Sequence, residues 1–146
     1  MIAPAEGAIT SGFGVRTHPV TGEKDVHKGL DYAGENGSPV LAAADGIVLD
    51  IGYQPDTEHG YGNYIILGHD KLGWSGLTTR YGHLKEKPEV EMKQNVKQGQ
   101  VLGRMGNTGA VAPKPTIEKP NSGTHLHFEV RWDNKPQNPL DYMKGR

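Results

Sequence analysis

Cysteine is absent from the 146 residues. That excludes disulfide staples and thiolate metal sites, so any metal must be held by imidazole and carboxylate. No apolar run is long enough to span a bilayer, and the opening residues MIAPAEGAITSGFG lack a basic segment followed by an apolar one. We therefore expect no membrane insertion and no signal peptide in this chain. Charge of one sign is also missing as a feature: 16 basic against 17 acidic residues leave a net charge of -1 with no run of like charge. The electrostatic case for nucleic acid is absent. Finally, no segment sustains a 3.6-residue apolar period, so little helix is expected beyond a turn or two in PLDYMKGR at the C-terminus.

What the chain has in excess is glycine (21) and proline (10), set as punctuation between short apolar runs. That is how an all-β domain is written. Residues 38 to 52 read as two short strands, and 63 to 70 and 77 to 84 as a pair joined by KLGWSG. The stretch 100 to 107 and the opening residues supply more. The length fits a single domain, 1–146, with its core over about 7–132 and a short tail, 133–146. The longest stretch without a strand signal, 110 to 123, contains prolines that forbid a central strand, and it should be an exposed loop.

The chemistry concentrates in two places. GTHLHFEVRW alternates strictly, so on a strand His125, His127, Glu129 and Arg131 share one face and Leu126, Phe128, Val130 and Trp132 the other. A solvated outer face would explain this alternation equally well. Far upstream, DVHKGLDYAG places His27 and Asp31 four apart, where extended chain would let both converge. Nitrogen and oxygen donors suit zinc, whose catalytic sites use three protein ligands and keep an open position. His27, Asp31 and one of the two late histidines would make such a set, with the other beside it. His18 and His59 read as bystanders, although His18 could line a groove; His69 reads as structural or groove-lining.

The motifs HKGLD, GSPVLAAADGIV, GYGNYIILGH, YGHL, VKQGQVLGRMGNTG and GTHLHFEV, in that order, resemble the M23 peptidases, the LytM and lysostaphin-like zinc endopeptidases, over roughly residues 7 to 132. The resemblance implies His27, Asp31 and His127 as ligands of Zn2+ and His83 and His125 as the catalytic histidines. It implies peptidoglycan peptides as substrate, cut at a stem-peptide cross-link or a glycine-rich bridge. It also implies a compact fold of antiparallel sheets around a groove, walled by 52–62, 71–76 and 110–123. The last wall is longer than the family commonly needs.

Zinc makes hydroxide available near neutral pH and polarises a carbonyl. Because no His-Glu-x-x-His motif supplies a glutamate base, a neutral imidazole would take that part: His125 on the water, His83 on the oxyanion or the leaving amine. Tyr81, two before His83, is expected on the same face and in contact with substrate. Asn107 is expected to bind substrate backbone. For Glu129 a solvated ion pair is favoured over a hydrogen bond to a ligand imidazole. A monomer is expected, extracellular, periplasmic or in the cell wall, or carried by a phage particle or lysin. Two rival classes stay open: a non-catalytic wall-binding or amidase-activating module of the same fold, and a histidine phosphocarrier of similar architecture.

Overall fold

The computed structural model describes all residues except 18–19, 58–59, 71–75 and 144–146, and within strands omits the side chains of Val15, Arg16 and Asp25. The fold is all-β. Its strands are β1 (Ile9–Ser11), β2 (Gly14–Thr17), β3 (Lys24–His27), β4 (Leu30–Tyr32), β5 (Pro39–Leu41), β6 (Gly46–Gln54), β7 (Gly62–Gly68), β8 (Leu77–Leu84), β9 (Asn95–Val96), β10 (Val101–Arg104), β11 (Leu126–Trp132) and β12 (Lys135–Gln137). All pairings are antiparallel. The main sheet runs β1-β4-β11-β8-β7-β6-β9, with β12 also on β11; β5 with β10, and β2 with β3, form two ribbons.

Alternation decides which face each residue takes. Leu126, Phe128 and Val130 of β11 are fully buried, and across the register Phe128 meets Tyr81 and Val130 meets Thr79. This core face packs with Val40, Leu102 and Met105 from the β5 and β10 region in one apolar cluster. Burying such side chains stabilises by about 1.5–3 kcal/mol each. The cluster also takes in Ala5 and Met143, outside the 7–132 core expected above, and the tail carries β12 and a one-turn 3-10 helix, Pro139–Tyr142.

The opposite face carries the chemistry, because the β2–β3 ribbon brings His27 over it. His27 ends β3 and Asp31 lies in β4, so the expectation of one extended segment is corrected: the chain breaks at Lys28–Gly29 and re-enters the main sheet. Gly29 is what permits the crossing. A Cβ there would collide with the carbonyl of Phe128 on β11.

Candidate metal centre and flanking histidines

Each strand delivers its side chain by simple register. Asp31 on β4 stands directly opposite His127 on β11, so the two share the face away from the core. His27 arrives from above. The result is a triangle of donor atoms: His27 Nε2 to Asp31 Oδ1 is 3.2 Å, His127 Nδ1 to Asp31 Oδ1 is 3.0 Å, and His27 Nε2 to His127 Nδ1 is 3.3 Å. A tetrahedral ion with bonds of about 2.0–2.1 Å separates its ligands by about 3.3 Å. These residues therefore fit zinc in donor type and spacing, and all three are buried.

The far nitrogens fix the tautomers. His27 Nδ1–H donates to the Gly12 carbonyl at 2.7 Å, leaving Nε2 as a lone pair. His127 Nε2–H donates to Glu129 Oε2 at 2.7 Å, so Nδ1 is the nitrogen turned to Asp31 and open to a proton or a metal ion. Such partners orient a ligand ring and raise its basicity. Burial works against charge on Asp31, but the His127 and His27 imidazoles beside it outweigh burial and hold the carboxyl far below its ordinary range. His127 shows the same balance in reverse: burial disfavours its charge, yet Asp31 and Glu129 push its pKa up to about 9. The pocket draws positive charge, as a cation site must.

Two more histidines flank the triangle. His125 precedes β11, its Nδ1–H held by the Gly123 carbonyl at 2.8 Å and its Nε2 lying 3.9 Å from Asp31 Oδ1. His83 holds its Nδ1–H on the Thr108 carbonyl at 2.7 Å, and its ring centroid is 4.6 Å from that of His125. Burial, reinforced by charge on His125 and His127, holds the His83 pKa down to about 3. Burial lowers that of His125 as well. The five residues implied by the resemblance thus converge on one spot.

His83 reaches it through a backbone irregularity. By strict alternation it would share the core face with Tyr81, but the β7–β8 register slips between Asn63 and Ile65, and His83 takes φ = +63°. That left-handed geometry, costly for a side chain bearing a Cβ, re-aims the ring to the other face. The expectation for Tyr81 is corrected by the same irregularity: it is fully buried, its hydroxyl bonded to the Ala43 N–H and to Thr79, and it cannot touch substrate. The Asn107 amide donates to the Pro120 and Ser122 carbonyls at 2.8 and 2.9 Å and ties down the 110–123 loop.

The favoured reading of Glu129 is likewise overturned. It is not solvated: it is fully buried beneath His127, with Arg131 Nε and Nη2 each 2.7 Å from its Oε1 and the Tyr61 hydroxyl donating to Oε2 at 2.6 Å. Burial raises its pKa, but His127, Tyr61 and Arg131 together bring it down to about 2. Tyr61 went unnoticed in the sequence. Its ring stacks on His127 at 5.6 Å, in the space that Gly82 leaves open opposite His127.

The groove above these side chains encloses about 560 Å³, with Thr10, Ser11, Ala112 and Pro113 among its walls. The 110–123 loop is a wall, as expected. Of the 71–76 segment, residues 71–75 lie outside the described residues; Gly76 adjoins Asp133, at the end of β8 away from His83. His18 and His59 also lie outside the described residues. His69 is buried and bonded to Asp45 and Thr79, away from the triangle.

An antiparallel β-fold thus carries a His-Asp-His donor set that could hold a metal ion, with two further imidazoles facing it. The chain belongs to peptidase family M23, whose family profile matches residues 25–139. It is 39% identical over 138 residues to the peptidoglycan DD-endopeptidase ShyB of Vibrio cholerae serotype O1, a match covering 94% of this chain and 27% of ShyB. It is 34% identical over 143 residues to the murein hydrolase activator NlpD of Escherichia coli K12, covering 98% of this chain and 31% of NlpD. The crystal structure of a zinc-containing peptidase from Vibrio cholerae superimposes with a TM-score of 0.75 at 36% identity, covering 99% of this chain and 39% of that one. The chain spans between about a quarter and a third of the length of the curated relatives it matches.

Proposed function

We propose that this chain is a zinc-dependent endopeptidase acting on the peptides of peptidoglycan, outside the cytoplasm of the cell or carried by a phage particle or lysin. One observation carries the reading: three donor atoms 3.0 to 3.3 Å apart, faced by two imidazoles whose outer nitrogens are tied to carbonyls. A module that only binds wall or activates another hydrolase, as the name of NlpD describes, needs no converging donor set. A phosphocarrier needs none either.

His27, Asp31 and His127 would hold the ion. When bound, zinc supplies a Lewis acid for the scissile carbonyl and acidifies a water toward neutral pH. His125 Nε2, kept as a lone pair by the Gly123 carbonyl, takes the proton from the attacking water, and that carbonyl steadies the imidazolium. His83 Nε2 stands ready beside it. It takes that proton from His125, whose ring centroid is 4.6 Å away, and because burial disfavours charge on His83 the proton is held briefly and passed to the leaving amine as the peptide C–N bond breaks, which returns both imidazoles to neutral. The products are a carboxylate and a free amine. Glu129, with Tyr61 and Arg131, keeps His127 in the ligating tautomer.

The name of ShyB favours a DD cross-link over a glycine bridge. The test is digestion of purified walls of several peptidoglycan chemotypes, with and without a chelator, identifying each newly freed amino terminus. Chelator-sensitive release is expected, and the residue bearing the new amine names the bond. No release from any wall by zinc-loaded protein would overturn the proposal in favour of an activating module.

A further inference from the structure

The 110–123 loop has two sides. One lines the metal groove; on the other, Pro120 and Asn121 form the wall of a second cavity of about 550 Å³. Facing them are Lys85, Lys87 and Arg104, with Glu86 the only acid in the lining. Arg104 is partly countered by Glu89, 2.7 Å from its Nε. In a molecule of net charge -1 this is a local surplus of positive charge. A cleft lined by one sign of charge concentrates ligands of the other.

The cavity is joined to the catalytic histidines by short links. Lys85 follows His83 by two residues, and its Nζ donates to Asn36 Oδ1 at 2.8 Å; Asn36 Nδ2 donates in turn to Thr124 Oγ1 at 3.2 Å, and Thr124 precedes His125. Thr108, also in the lining, supplies the carbonyl that holds His83. The ammonium is thereby positioned rather than free to wander.

We propose that this cleft, which the loop completes, binds a carboxylate of the substrate peptide whose bond lies in the metal groove. The inference rests on the endopeptidase reading above. Carboxylates occur in cross-linked wall peptides at chain ends and on acidic side chains. A lysine ammonium, a compact charge with three donors, suits them where the cleft stays wet.

The test uses a soluble cross-linked peptide dimer with its carboxylates either free or amidated. The zinc-loaded wild-type chain, the double variant K85M/K87M and the control K114M are compared at low ionic strength by kcat/KM. The wild type should favour the acid on the order of tenfold, as two partly screened ion pairs permit. The double variant should bring the acid-to-amide ratio toward one, and K114M should keep it. If both dimers are cleaved equally by the wild type, or the ratio survives in the double variant, the cleft is not a carboxylate site. If neither dimer is cleaved, the endopeptidase reading fails instead. Binding then decides the cleft separately: shifts of the Lys85 and Asn121 amide resonances with the acid alone support it, and equal shifts with both dimers overturn it.

Discussion

Histidine is buried in two regions of this sheet and handled in opposite ways. At the end of β7, His69 spends both ring nitrogens: Nδ1–H donates to the Asp45 carbonyl at 2.7 Å, and Nε2 accepts from the Thr79 hydroxyl at 2.8 Å. The chain continues from Thr79 to the Tyr81 hydroxyl at 2.8 Å and from there to the Ala43 N–H at 3.0 Å. A fixed donor at one end and a fixed acceptor at the other set every proton in between. In the groove, His27, His83 and His125 each spend one nitrogen on a backbone carbonyl, and His127 spends one on Glu129. Their other nitrogens converge on Asp31 and its surroundings. Burial does not distinguish a working histidine from a structural one; the nitrogen left over does.

The harshest way to break the comparison is to remove a ligand. H27A, D31A and H127A should each reduce zinc in dialysed protein from stoichiometric to trace and lower wall hydrolysis by about 10³-fold or more, read by metal analysis and amine release. Next come H125A and H83A, which should retain zinc yet lose about 10²–10⁴ in turnover. If either keeps full activity, its unspent nitrogen has no part in the chemistry.

How much of this was legible beforehand varied with range. The His-x-His alternation put Leu126, Phe128, Val130 and Trp132 on the face opposite the histidines, because side-chain parity is local; the first three are buried in the core and Trp132, at the strand's end, is exposed. The same parity failed for Tyr81 and His83, since a register slip with a left-handed residue does not show in residue types. Burial of Glu129 and Arg131 could not be read either. Their cover comes from Tyr61, about seventy residues upstream, and no spacing rule predicts which loop closes over a strand. A glycine opposite His127, Gly82, was the one available hint that an aromatic ring lies there.

Glu129 offers a sharper and smaller test. It makes His127 more basic without touching the ion, so E129Q should keep the fold and weaken zinc binding about 10–100-fold. Competition with a chromogenic chelator measures that directly, alongside circular dichroism. An unchanged affinity would mean that Nε2 of His127 needs no carboxylate to stay in place.

The smallest effect belongs to the structural histidine. H69N keeps a donor near the Nδ1 position but removes the acceptor of the Thr79 hydroxyl from a fully buried network, so stability should fall by about 1–3 kcal/mol, measured from urea midpoints, while zinc content of the folded protein stays unchanged. Its pH dependence gives the comparison a sign. Burial lowers the pKa of His69 in the folded state, against an ordinary value near 6.5 when unfolded. Below about pH 6.5 the unfolded chain therefore binds the extra proton, and the stability His69 contributes above that pH is lost as pH falls. The rest of the chain is common to both proteins. The difference between wild-type and H69N midpoints isolates His69, and it should shrink between pH 7 and pH 5. A difference that stays constant would show that His69 accepts a proton without disturbing the network, and the distinction between spent and unspent nitrogens would lose its energetic basis.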